Sequence, residues 1–169
     1  MRLRDELFGF KGRIRRTEWW VRGILVGLVA AVFYVPFSLV LGAEGGPFDS
    51  ETGHYAYLVI GFLLMAPFLW IQTAISVQRG HDVNIPAWPI VAFQIFSVGS
   101  GYIPYALLFP AGGPLTAVTA AFAINGVYWA GSLIGLVILG FIPGTRGPNR
   151  FGPSATATDK PAFIEPGGV

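Results

Sequence analysis

Hydrophobic positions along the chain fall into four long runs, about residues 19–41, 55–77, 88–109 and 115–142, separated by short polar stretches. Each run reaches the ~20 residues that carry a helix across a hydrocarbon core of about 30 Å. The fourth exceeds that need and is expected to tilt or to extend past the interface. None shows the period-two alternation of a membrane barrel strand, and open strands leave backbone groups unsatisfied in lipid. The pattern therefore predicts an all-α membrane protein with four transmembrane helices in two hairpins. Residues 1–153 form the predicted transmembrane domain. Residues 154–169 are rich in Pro, Thr, Ala and Gly, lack the apolar content for a core, and read as a flexible cytoplasmic tail.

Charge adds an orientation. All eleven Lys and Arg residues sit in three places: Arg2, Arg4, Lys11, Arg13, Arg15, Arg16 and Arg22; Arg79 alone; and Arg146, Arg150 and Lys160. Each gap between them is long enough to cross a bilayer and return. The loop between runs one and two carries Glu44, Asp49, Glu51 and His54 but no Lys or Arg. Basic residues are retained on the cytoplasmic side, so both termini and the Arg79 connection are expected inside. The acidic loop and the Pro–Gly turn at residues 110–114 are expected outside. Trp19, Trp20 and Trp88 read as inner interface anchors, and Tyr55 and Tyr57 as outer ones.

Composition narrows the classes. Hydrophobic residues make up 53% of the chain and charged residues 12%, against about 25% charged in an ordinary soluble domain. There are no cysteines, which excludes disulfides, thiolate metal sites and Cys nucleophiles. The net charge is only +2. Because the basic clusters flank the spans, topology accounts for them and no nucleic-acid partner is expected. The first run exceeds the ~7–15 residues of a signal-peptide core, and Leu41-Gly42-Ala43 is a poor cleavage site, so it reads as a retained signal anchor.

Helices in lipid associate through close approach and a few polar contacts. Gly23, Gly27 and Ala31 share one face of the first span, and Gly131 and Gly135 one face of the fourth. These are the expected packing positions. Inside the spans the polar residues are Gln72, Thr73 and Ser76, then Gln94, Ser97 and Ser100, then Asn125. Gln72 and Gln94 are expected to bond between helices. No ionisable residue lies deep in a span, whereas ion-coupled transport normally places one there.

Three segments should meet on the inner face. The first is residues 8–20, with Gly9 and Gly12 as breaks and Thr17 as the expected N-cap of the first span. Leu3, Leu7, Phe8, Phe10 and Ile14, interleaved with Arg and Lys, predict a short interfacial N-terminal segment. The second is a short loop, Gln78-Arg79-Gly80-His81-Asp82-Val83-Asn84. The third is the turn-rich stretch 143–153. Across them run Gly12-Arg13-x-x-Arg16-x-x-Trp19-Trp20, then Arg79-Gly80-His81-Asp82 with Trp88, then Gly147-Pro148-Asn149-Arg150-Phe151-Gly152. In order and in position relative to the spans, this pattern resembles the bacterial inner-membrane family known as domain of unknown function 805, from about residue 7 to 153. It departs where Pro86-Ala87 precede Trp88 in place of Gly or Ser, and in a longer outer loop. The resemblance implies a multi-pass protein of the bacterial cytoplasmic membrane and brings no known activity.

Arg13, Arg16, Glu18, Trp19, Arg79, His81, Asp82, Trp88, Asn149 and Gly152 are thus the candidate inner-face site. One reading is a structural pairing network: Arg79 with Asp82, Arg13 and Arg16 with Asp82, Glu18 or lipid phosphates, and Asn149 on carbonyls at the end of span four. A second is a site for anionic lipid head groups or a membrane complex, with Arg forks suited to phosphate. A third is a lipid-modifying enzyme using His81. No Ser nucleophile, metal spacing or phosphate loop accompanies His81, and His54 lies across the membrane from it. No catalytic residue, metal or cofactor is therefore assigned. The expected partners are membrane lipids, a larger membrane complex or further copies of the chain. A small transporter or channel component stays open as the alternative function.

Overall fold

The computed structural model describes residues 8–42, 46–48, 50–108 and 115–155. These described residues contain four helices: α1 Arg16–Leu41, α2 Glu51–Asp82, α3 Ala87–Leu108 and α4 Leu115–Gly140. No strand occurs among the described residues. Three apolar segments, Arg16–Leu41, Thr52–Asp82 and Phe122–Gly140, are long enough to cross a membrane, while the described apolar part of α3, Ala87–Ser100, is shorter. The turn at 110–114, Glu44, Asp49, residues 1–7 and the tail beyond 155 lie outside the described residues.

Helices consecutive in the chain pack as neighbours, and α1 also touches α4. Trp19 lies at Ser76, Gly80 at Ile90, and Gly140 at Trp20. The start of α1, the end of α2, the start of α3 and the end of α4 therefore gather at one end of the bundle. This is the end that carries the basic residues.

Burial is inverted relative to a soluble bundle. Large apolar side chains on α1 and α4 stand exposed, among them Leu28, Val32, Leu39 and Phe122. The buried set is concentrated near the end of α2: Thr73, Ala74, Ile75, Val77, Gln78, Arg79, His81 and Asp82. Lipid tails supply no drive to hide apolar groups, so burial selects the groups that need partners. Ile14, Trp19, Ile75 and Leu139 form the small apolar core beside them.

Helix ends differ from the sequence reading in physically explicable ways. α1 starts at Arg16, and its N-cap is Arg15 rather than Thr17. The Glu18 carboxylate accepts the Arg15 backbone N–H at 3.1 Å, which satisfies a donor that a Thr17 cap would have left behind. The expected loop 78–84 is largely the last turn of α2. That turn closes in a Schellman motif: Ile85 N–H donates to Gly80 O at 2.8 Å and Asn84 N–H to His81 O at 3.1 Å. Asn84 takes the left-handed position with φ 64°, where Asn is tolerated. At the other end Ser50 caps α2, its hydroxyl accepting Gly53 N–H at 3.0 Å, so His54 is helical rather than in a loop.

The interfacial segment is not laid free along a surface. Its described part runs along α2, with Trp70 Nε1 donating to Phe8 O at 3.3 Å and Gln78 Nε2 to Gly9 O at 2.6 Å. Phe10 meets Trp70 edge to face at 5.1 Å. Of the small residues expected at crossings, Gly131 is seated directly against Phe93, and Gly23 lies beside Gln72 at ordinary contact distance. Among the described residues nothing approaches within 4 Å of a Cβ at Gly27 or Gly135, and Ala31 is exposed. Among the described residues these three mark no crossing. The Gln94 amide likewise bonds differently from expectation: its Nε2 donates to Ser97 Oγ on its own helix at 3.2 Å.

Candidate functional site

The buried end of α2 brings Arg79, His81 and Asp82 onto the N-terminal segment and the stretch after α4. Asp82 is the hub. Its Oδ1 accepts Arg13 Nε at 3.1 Å and Arg13 Nη2 at 2.9 Å, and its Oδ2 accepts Arg79 Nη1. Arg79 is fully buried. Its Nε donates to Leu139 O at 2.7 Å and its Nη2 to Ile142 O. Carbonyls at a helix C-terminus lack intrahelical donors and carry partial negative charge, so a cation there is favoured.

Arg13 binds the third segment. Nη1 donates to Gly147 O at 2.9 Å and Gly152 O at 3.3 Å, and Nη2 to Thr145 O at 2.7 Å and Thr145 Oγ1 at 3.0 Å. Thr145 in turn donates through its N–H to Asp82 O at 2.8 Å and through its hydroxyl to the same oxygen at 2.9 Å. Two guanidiniums thus share one carboxylate. Backbone carbonyls, rather than a second acid, balance the remaining positive charge.

His81 is held on three sides. Its Nδ1 lies 3.2 Å from Gly12 O, which makes Nδ1 the donor in that contact. Its ring stacks on Phe151 at 4.0 Å and 9°, and its backbone O accepts Asn149 Nδ2 at 2.9 Å. Asn149 Oδ1 accepts Phe151 N–H at 2.9 Å, and Asn149 and Gly152 exchange both backbone hydrogen bonds at 3.0 Å. This tight turn needs the positive φ of Gly152, 135°, which suits glycine. At Gly144 a Cβ would overlap the Asp82 carboxylate, so the backbone there must be bare.

The site residues predicted from sequence separate into two groups. Arg13, Arg79, His81, Asp82, Asn149 and Gly152 come together. Trp19 is buried beside them, its Nε1 donating to Ser76 Oγ at 3.4 Å, and so turns into the bundle rather than anchoring at an interface. Glu18 caps α1. The Arg16 side chain is exposed and makes no hydrogen bond among the described residues, and Trp88 is 72% exposed. Asn149 binds the end of α2 rather than α4, because Arg79 already occupies the α4 carbonyls. Thr145 and Gly144 were not singled out from sequence. A Gly and a Thr after Pro143 read as ordinary turn residues, and only the fold reveals that Asp82 lies against them.

Fold and site together define a small all-helical protein of membrane-spanning type, one end closed by an ion-paired clasp of three chain segments. The chain belongs to the family described as Protein of unknown function (DUF805), which it matches over residues 7–153. It is similar to the uncharacterized protein YiiR of Escherichia coli K12, 28% identical over 156 residues that cover 90% of this chain and 89% of the relative. YiiR of Escherichia coli O157:H7 matches to the same extent. No solved structure matches the chain significantly.

Proposed function

We propose that this chain is a four-span protein of the bacterial cytoplasmic membrane, with both termini cytoplasmic. On this reading its clasped end presents a rigid, basic and aromatic face to anionic lipid head groups or to a larger membrane complex. One observation carries the reading: the central cations are consumed internally, while the cations around them stay exposed, Arg15 and Arg150 giving only part of their donors to Ala155 O and Asn84 O. Arg13 and Arg79 give their donors to Asp82 and to carbonyls. Lys11, Arg15, Arg16, Arg146 and Arg150 are exposed on the same end. Basic side chains held near an anionic leaflet each contribute about 1 kcal/mol of attraction. On the same reading His81 has a structural part, with one ring face, Nδ1 and the backbone O engaged in the clasp.

The clasp also supports four crossings. Arg13 precedes α1, and its partners Gly147 and Gly152 follow α4, so both ends of the bundle lie on one side. That requires an even number of crossings. With α1, α2 and α4 crossing, α3 crosses too.

Head-group contact is tested by native mass spectrometry of the protein released from nanodiscs of mixed phosphatidylglycerol and phosphatidylcholine. The combined variant Lys11→Gln, Arg16→Gln, Arg146→Gln should lose most of its retained phosphatidylglycerol while unfolding at the wild-type temperature. Wild-type retention by the folded variant would overturn the reading.

A further inference from the structure

A second feature of the bundle lies away from the clasp. A cavity of about 650 Å³ opens among all four helices, lined by Tyr34 of α1, Gln72 of α2, Phe93, Gln94 and Ser97 of α3, and Tyr128 and Ser132 of α4 among others. At ~1.5 Å per residue, Gln72 stands about 15 Å along α2 from Asp82, so the cavity begins well beyond the charged end. α1 and α4 meet near that end, where Trp20 Nε1 donates to Gly140 O at 3.2 Å and Trp20 meets Phe141 edge to face. Farther along, the cavity reaches Tyr34 on α1 and Tyr128 and Ser132 on α4 and lies between them.

The lining has a definite chemistry. Among the described residues no carboxylate, Lys, Arg or His contributes to it, so they offer nothing to balance a charged ligand. Four of its polar side chains, Tyr34, Gln72, Tyr128 and Ser132, form no side-chain hydrogen bond among the described residues. In a bilayer such groups are costly unless a partner reaches them. The Phe93 and Tyr128 rings lie nearly parallel, 6.2 Å apart at 6°, and Gly131 lets Phe93 close against α4. Amide and hydroxyl donors beside flat aromatic rings suit a neutral head with carbonyl or hydroxyl oxygens. Pockets of about 300–1,000 Å³ with a few converging polar groups are of ligand-binding size.

We propose that this cavity binds a neutral membrane-soluble lipid through the carbonyl or hydroxyl oxygens of its head, with Gln72 and Ser132 as polar contacts. A quinone and a diacylglycerol share that chemistry, and the experiment separates them. Purified protein in detergent is titrated with decylubiquinone in one arm and dioctanoylglycerol in the other, and binding is read by microscale thermophoresis. Saturable binding in one arm is expected, weakened at least tenfold by Gln72→Leu. Ser132→Phe, which fills the cavity from another helix, serves as an independent variant, and thermal unfolding in the absence of ligand is followed for both. Saturation in the quinone arm alone identifies a quinone-type head, and in the glycerol arm alone an acylglycerol. Non-saturating uptake in both arms, or saturable binding that neither folded variant weakens, overturns the proposal.

Discussion

Asp82 is the residue on which the clasp turns. Its carboxylate is the shared counter-charge of Arg13 and Arg79, whose side chains are only 1% and 0% exposed. Removing one partner of a buried ion pair leaves an uncompensated charge and typically costs about 3–5 kcal/mol. Asp82→Ala strands two guanidiniums at once. It is expected to lower the unfolding temperature in detergent far more than Arg16→Ala, whose side chain is exposed. Asp82→Asn should fall between them, keeping the acceptor oxygen and losing the charge. Equal melting of Asp82→Ala and Arg16→Ala would show that the clasp contributes little. The Asp82 pairings illustrate what a sequence reveals of such a site. Arg79 and Asp82 are one helical turn apart, and their pairing is legible from spacing alone. That Arg13 reaches the same carboxylate depends on how a segment from the start of the chain folds along α2, which no local pattern encodes.

At the level of elements, hydropathy located the helices but misplaced where the second one stops. A run of Gln, Arg, Gly, His and Asp looks like a loop because isolated polar residues seldom sit in a membrane helix. Here they remain helical because each polar group has a partner, and the helix closes only where Asn84 adopts φ 64°. An L-residue with a branched Cβ pays roughly 1–2 kcal/mol in that conformation. Asn84→Val should therefore destabilise the protein by about that amount, and Asn84→Gly should leave it unchanged or slightly more stable, both measured by thermal unfolding in detergent. If Val and Gly behave alike, the left-handed turn does not set the end of α2. The closing motif Gly147-Pro148-Asn149-Arg150-Phe151-Gly152 has a similar logic. Its glycines allow the turn, its Asn ties α2, and its Phe covers His81. The small-residue stripe of α1 was less informative, since spacing identifies a helix face and not what lies against it.

For the molecule as a whole, the clasp joins insertion and folding. On the proposed orientation, the Arg residues that would hold the nascent chain's ends in the cytoplasm include the two that pair with Asp82. The clasp can form only if the segment before α1 and the stretch after α4 emerge on the same side, because Arg13 and Arg15 reach residues 145–155. Correct topology is thus a precondition of the buried network, and span number and orientation can be tested together. The chain has no cysteine, so single introduced cysteines report position directly. In intact bacterial cells whose outer membrane has been made permeable, a membrane-impermeant maleimide should label Glu51→Cys. Lys11→Cys and Ser154→Cys should react only after the inner membrane is opened. Labelling of Lys11→Cys and Ser154→Cys from opposite sides would mean an odd number of crossings and would be incompatible with the clasp. Labelling of both from outside would keep an even number of crossings and reverse the orientation, removing the anionic inner leaflet as the partner of the basic face. With α1, α2 and α4 crossing, the expected pattern requires that α3 cross too, with the basic end at the inner leaflet and the neutral cavity within the bilayer, where a lipid-soluble ligand can reach it.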